Sequence, residues 1–252
     1  MINLLNIFDE FDKHAKSYDM NDRMIALKYF HSYRVMHICG QIADDINLSD
    51  EDTYLAMVIG LLHDYARFEQ WKQFKTYSDA NSIDHGDLAV KLLFDDNEIN
   101  KFGIDKKYYK IIYDCIKYHN KYGYPEDTNE KSKLFCKLIK DADKLDIFYL
   151  ISQGEIKVID DDSEISQVVI DDFYQEKLLR KEDRKSKSDC IVFYLAMIFD
   201  MNFSYSYKFL KENRLLEGLF KNVEKPEKFK SYLEYVKKYM KEGNKWYVTK
   251  KI

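Results

Sequence analysis

Six residues of this chain have side chains suited to holding a metal ion: His31, His63, Asp64, His85, His119 and Asp141. Imidazole nitrogen and carboxylate oxygen together are the donor set of borderline and harder divalent cations, whereas a soft thiolate site needs paired cysteines. The four cysteines, at 39, 115, 136 and 190, form no Cys-x-x-Cys pair and read as reduced core residues. His63 and Asp64 adjoin at the end of the apolar stretch Gly60-Leu61-Leu62. An ionised aspartate buried there without a cation costs on the order of several kcal/mol. One histidine on an apolar face is most often a core residue satisfied by a backbone carbonyl. Six ligand-type residues on or beside successive apolar stripes point to a metal site.

Helices must position these residues. Leu27, His31, Val35, Ile38 and Ile42 share a stripe in a helix expected over about 21–46. Leu55, Val58, Ile59 and Leu62 form the next stripe, which His63 extends. Asp84 caps a helix with His85, Leu88, Ala89 and Leu92 on one face. Ile112, Cys115, Ile116 and His119 line a helix over 105–119, stopped by Asn120 through Pro125. Leu134, Leu138, Asp141, Leu145 and Phe148 form the inner stripe of 131–150. Residues 69–83 lack a clear period and read as a loop over the site. A short amphipathic helix at 2–16 carries His14, read as solvated or capping, and His37 lies on a different side of its helix from His31.

After an acidic, irregular 152–163, helices are expected at 164–180, 189–202, 205–221 and 226–241, with the charged run Lys181 to Ser188 as a loop. Two prolines and eight glycines in 252 residues leave little punctuation for hairpins, so the expected fold class is all-α. The expected organisation is one compact domain over 1–252, with a motif-bearing core at about 21–151 and a helical completion at about 152–252. Forty basic and 44 acidic residues give a formal charge of −4, so no global positive field favours nucleic acid. The N-terminal stretch lacks a basic n-region and a long apolar run. The longest apolar run, Ile191 to Phe199, has nine residues, too few to span a bilayer. A soluble, cytoplasmic protein is expected.

His31-Ser32-Tyr33-Arg34-Val35, Leu61-Leu62-His63-Asp64 and Lys140-Asp141-Ala142-Asp143-Lys144-Leu145-Asp146 resemble, in order, the three motif regions of the HD-domain superfamily of metal-dependent phosphohydrolases. The likeness covers roughly residues 25–150 and departs from many members at Tyr65 and Ala66, where they have a small aliphatic residue and glycine. It implies that His31, His63, Asp64 and Asp141 hold one metal. With His85 and His119 the chain resembles the binuclear members, whose motif aspartate bridges two ions. The implied cofactor is thus a pair of divalent ions, drawn from Mn, Fe, Co, Ni, Mg or Zn. The implied activity is attack of metal-activated water on a phosphate ester, the substrate a nucleotide or related small phosphorylated metabolite. Arg34, Arg67 and Lys144 each stand one turn beyond a ligand and are expected to bind substrate, with Arg67 and Lys144 joining Asp64 in catalysis. Two alternatives share the likeness: a di-iron oxygenase of the HD type, and a non-catalytic nucleotide-binding HD module.

Overall fold

Short polar side chains start several of the helices. Asn3, Asp22 and Ser49 each accept a hydrogen bond from a first-turn amide, opening α1 (Leu4–Lys16), α2 (Arg23–Asp45) and α3 (Asp50–Leu62). Asp50, Glu51 and Asp52 place negative charge at the amino end of α3, where the helix dipole favours it. The computed structural model describes residues 2–159, 162–221 and 223–247, so Asp160 and Asp161 of the acidic stretch lie outside the described residues.

The chain continues through α4 (Arg67–Phe74), α5 (His85–Val90), α6 (Tyr109–Tyr118) and α7 (Glu130–Ser152). Asp84 caps α5, which widens into a π-type turn at Lys91–Asp95. Then come α8 (Gln167–Tyr174), α9 (Lys187–Ala196), α10 (Ser204–Glu212), α11 (Leu215–Leu219) and α12 (Lys230–Tyr247). Every regular element among the described residues is helical, as the composition implies. No helix among them is long and apolar enough to cross a membrane.

Two expectations need correction. Residues 67–74 are not loop but helix, closed by Lys75 in the left-handed region at φ 52°. This helix of two turns is anchored by Phe68 and by the buried amide of Gln70, so it has no apolar stripe for periodicity to detect. The single helix expected over 205–221 is two, divided where Arg214 adopts φ 52°.

The chain forms two compact units, residues 1–143 and 144–252, with the division inside α7. In the first unit α3 is the central helix: Leu55, Ala56, Leu61 and Leu62 are wholly buried. Each buried leucine there contributes roughly 1.5–3 kcal/mol of apolar transfer. α2 packs along α3. Their closest approach is at Gly60, where a β-carbon would stand 2.8 Å from both the Met36 Cα and the Cys39 Sγ. Gly86 does the same for α5 and α6: a β-carbon there would meet the Ile116 carbonyl at 3.0 Å. α1 covers one side of the unit, with Phe11 among the rings of Tyr29, Tyr33 and Phe68. Cys39, Cys115 and Cys136 are buried free thiols. In the second unit the core is built on Ile191, Leu195, Leu210 and Val236, with Phe173 ringed by Phe199, Tyr232 and Tyr235.

Candidate metal centre

Two of the four inward histidines stand at the carboxyl ends of helices, and those ends fix their protons. The last turn of a helix leaves carbonyls without amide partners. His63 follows α3 directly and donates from Nδ1 to the Gly60 carbonyl at 2.7 Å; His119 follows α6 and donates to the Ile116 carbonyl at 2.8 Å. His85 opens α5 and donates from Nδ1 to the Asp79 carboxylate at 2.8 Å. These acceptors cannot donate, so each Nδ1 carries the hydrogen and each Nε2 presents a lone pair, which in His85 accepts from Arg67 Nη2 at 3.2 Å.

The four Nε2 atoms converge on Asp64. His31 Nε2 and His63 Nε2 are 3.2 Å apart and lie 3.3 and 3.5 Å from Asp64 Oδ2. His85 Nε2 and His119 Nε2 are 2.8 Å apart and lie 3.4 and 3.8 Å from Asp64 Oδ1. One aspartate thus offers a different oxygen to each histidine pair, and in each group the three ligand atoms lie within 4.8 Å of one another. Two lone pairs facing each other at 2.8 Å repel, and a cation shared by both would relieve that repulsion. This donor set fits a divalent metal. Asp79 behind His85 supplies the carboxylate that orients a ligating imidazole.

Electrostatics favours the ligating forms. Burial pushes the pKa of His63 down, and burial with the Arg67 guanidinium pushes that of His85 down to about 3. Both are therefore neutral at pH 7, as ligation requires. Burial raises the Asp64 carboxyl, but the Lys28 and Arg67 cations oppose it, and that carboxyl stands well below its usual range. Lys28 Nζ donates to Asp64 Oδ2 at 2.6 Å and Arg67 Nε to Oδ1 at 3.2 Å. Arg67 also donates to Gln70, the Tyr77 carbonyl and Asp79.

A third carboxylate meets the first pair: Asp143 Oδ1 lies 3.3 Å from His31 Nε2 and 3.7 Å from His63 Nε2. Burial raises its pKa, but the neighbouring His31 and His63 outweigh that and hold it well below the ordinary value. Asp141 is wholly buried on α7, two residues back and so about 200° round the helix. Both sides of α7 are buried, from Phe135, Cys136, Leu138 and Ile139 to Ala142, Leu145 and Asp146, so an apolar stripe could not choose between the two aspartates.

The structure brings together His31, His63, Asp64, His85, His119 and Arg67. Arg34 is half-buried on α2, one turn past His31. Lys144 pairs with Asp200 at 2.6 Å. His37 is exposed. His14 is not the solvated residue expected: its ring stacks on Tyr65 with centroids 3.7 Å apart, and burial pushes its pKa down to about 4. The site residues that the sequence reading did not single out are Lys28, Asp79 and Asp143. Asp79 precedes His85 by six positions in the unperiodic 69–83 stretch, and Lys28 precedes His31 by one helical turn, a spacing that was available to be read.

Compared with family models, residues 29–147 match the HD domain. No curated protein and no solved structure is significantly similar to the chain. Every residue of both histidine–aspartate groups falls inside the matched span, so the part of the chain that matches the HD domain is the part that carries the candidate metal centre.

Proposed function

We propose that this protein hydrolyses a phosphate ester of a small metabolite, a nucleotide or a close relative, with two divalent ions held by His31, His63, Asp64 and Asp143 on one side and by Asp64, His85 and His119 on the other. The observation that carries this reading is the division of Asp64, one oxygen toward each imidazole pair. When bound, the ions would supply an activated water and neutralise phosphate charge. The protein's own part is orientation. The carbonyls of Gly60 and Ile116 and the carboxylate of Asp79 hold three rings with Nε2 inward. Arg67, fixed by Gln70, Tyr77 and Asp79, presents a guanidinium suited to a phosphate oxygen. Asp64 is only 3% exposed while the Asp143 side chain is 23% exposed, which supports substrate entry from the Asp143 side. Tyr77, its ring 5.6 Å from Arg67, offers an aromatic face that supports a nucleobase.

The test is a phosphate-release screen over phosphomonoesters, phosphodiesters and nucleoside triphosphates with Mn, Fe, Co, Ni, Mg and Zn. Turnover in the wild type is expected to disappear in Asp64→Ala together with bound metal, because that change removes a ligand from both groups. Oxygen-dependent turnover by iron-loaded protein would replace the hydrolase reading with an oxygenase. Tight nucleotide binding without turnover would replace it with a binding module.

A further inference from the structure

Asp64 Oδ2 is approached from two directions. His31 and His63 face it at 3.3 and 3.5 Å, and the Lys28 ammonium donates to it at 2.6 Å. The other half repeats the pattern, with His85 and His119 facing Oδ1 and Arg67 donating to it. Each imidazole pair therefore shares its carboxylate oxygen with one side-chain cation. The two cations are held differently. Arg67 is clamped by three further acceptors, whereas the ion pair of Lys28 is with Asp64, its Nζ standing 5.5 Å from the centre of the Tyr77 ring.

A cation held by His31, His63 and Oδ2 must draw on the same negative charge that Lys28 draws on, and the two positive charges repel each other. Metal at that pair and the ammonium on Oδ2 are thus in competition. Lysine is also a flexible four-carbon stem ending in a point charge, able to leave one oxygen for another nearby. We infer that Lys28 is the phosphate-binding arm of the His31/His63 half of the site: it contends with metal for Asp64 Oδ2, and as metal binds it transfers to the substrate phosphate. The first half of this inference stands on the geometry alone; the second rests on the phosphohydrolase reading. Because such coupling is reciprocal, a phosphate that draws Lys28 away must also tighten metal binding.

The experiment uses the full chain and Lys28→Met, which keeps side-chain length and helix preference while removing the charge. Manganese affinity is measured by the electron paramagnetic resonance of free Mn²⁺, with no substrate present. Loss of the competing ammonium is expected to tighten the stronger Mn²⁺ site by about ten-fold. Inorganic phosphate binding to the Mn²⁺-loaded variant is expected to weaken by about ten-fold, and Lys28→Arg to restore most of it. Mn²⁺ affinity unchanged or weakened in Lys28→Met overturns the inference, and so does phosphate affinity equal to wild type. Lys28→Gln and thermal melts guard against a folding defect: both variants lose an ion pair to buried Asp64, so they are expected to melt below the wild type but in one cooperative transition, and to change Mn²⁺ affinity alike. Wild-type protein that binds Mn²⁺ yet neither binds phosphate nor releases it from any ester would count against the phosphohydrolase reading, and the Mn²⁺ comparison would still decide the competition.

Discussion

Imidazole protons at this centre are assigned by oxygen atoms that have nothing to donate, so the ligating nitrogens are set before any cation arrives. Carboxylates have no such device, and their roles follow from direction. Asp143 faces His31 and His63, while Asp141 lies about 200° away around α7. We predict that Asp143→Asn lowers metal affinity at the His31/His63 pair by about ten-fold or more, and that Asp141→Asn leaves metal stoichiometry near wild type. Elemental analysis of the two purified variants decides between them. Loss of metal in Asp141→Asn alone would return the ligand role to that residue. The histidines were legible in the sequence because each extends an apolar stripe. Which aspartate of α7 faces them is not marked by a stripe, because α7 is buried on more than one side.

Among the contacts that hold α1 beside the end of α3 is a neutral ring. His14 stacks on Tyr65, and its Nε2 lies 3.2 Å from the Tyr65 carbonyl. With its pKa near 4 against an ordinary 6.5, His14 takes up a proton in the unfolded chain before it does in the folded one. As pH falls from 6.5 toward 4 the folded state therefore loses stability, by at most about 3 kcal/mol from this residue, and loses no more from it below that. His85, with its value near 3, adds to the loss in the same direction. His14→Phe keeps the stack and removes the charge, so the drop in urea midpoint between pH 7.5 and pH 5 is expected to shrink without vanishing. A drop as large as in the wild type would show that the His14 ring does not stay neutral in the fold. Among the elements, long helices with caps and stripes could be read directly, whereas α4 could not, being held by Arg67 and Gln70 through hydrogen bonds rather than by an apolar face.

At the scale of the molecule, the family match ends at residue 147, just past the division of the chain into two units. No linker marks that division, because it falls inside the continuous 23-residue helix α7. Composition sufficed for the all-α class, but a helix that serves both units shows no break in its period. Lys144, the first residue of the second unit, is largely buried and donates to the side chain and carbonyl of Asp200. Lys144→Met is accordingly predicted to lower unfolding stability by about 1 kcal/mol while leaving metal content unchanged. A chemical denaturation curve and a metal assay on the same sample test both parts. Metal loss without destabilisation would assign Lys144 to the centre after all.

The two glycines that let α2 approach α3 and α5 approach α6 give the centre an unequal tolerance of inherited change. A histidine or aspartate ligand can be exchanged for another donor, and the metal it prefers can drift with the exchange. Gly60 and Gly86 have no such neighbours in sequence space, since even alanine would force backbones apart that now stand within van der Waals reach, one turn from His63 and next to His85. Descendants of this chain are therefore free to change the chemistry at Asp64 sooner than they can change the two residues that have no side chain to contribute to it.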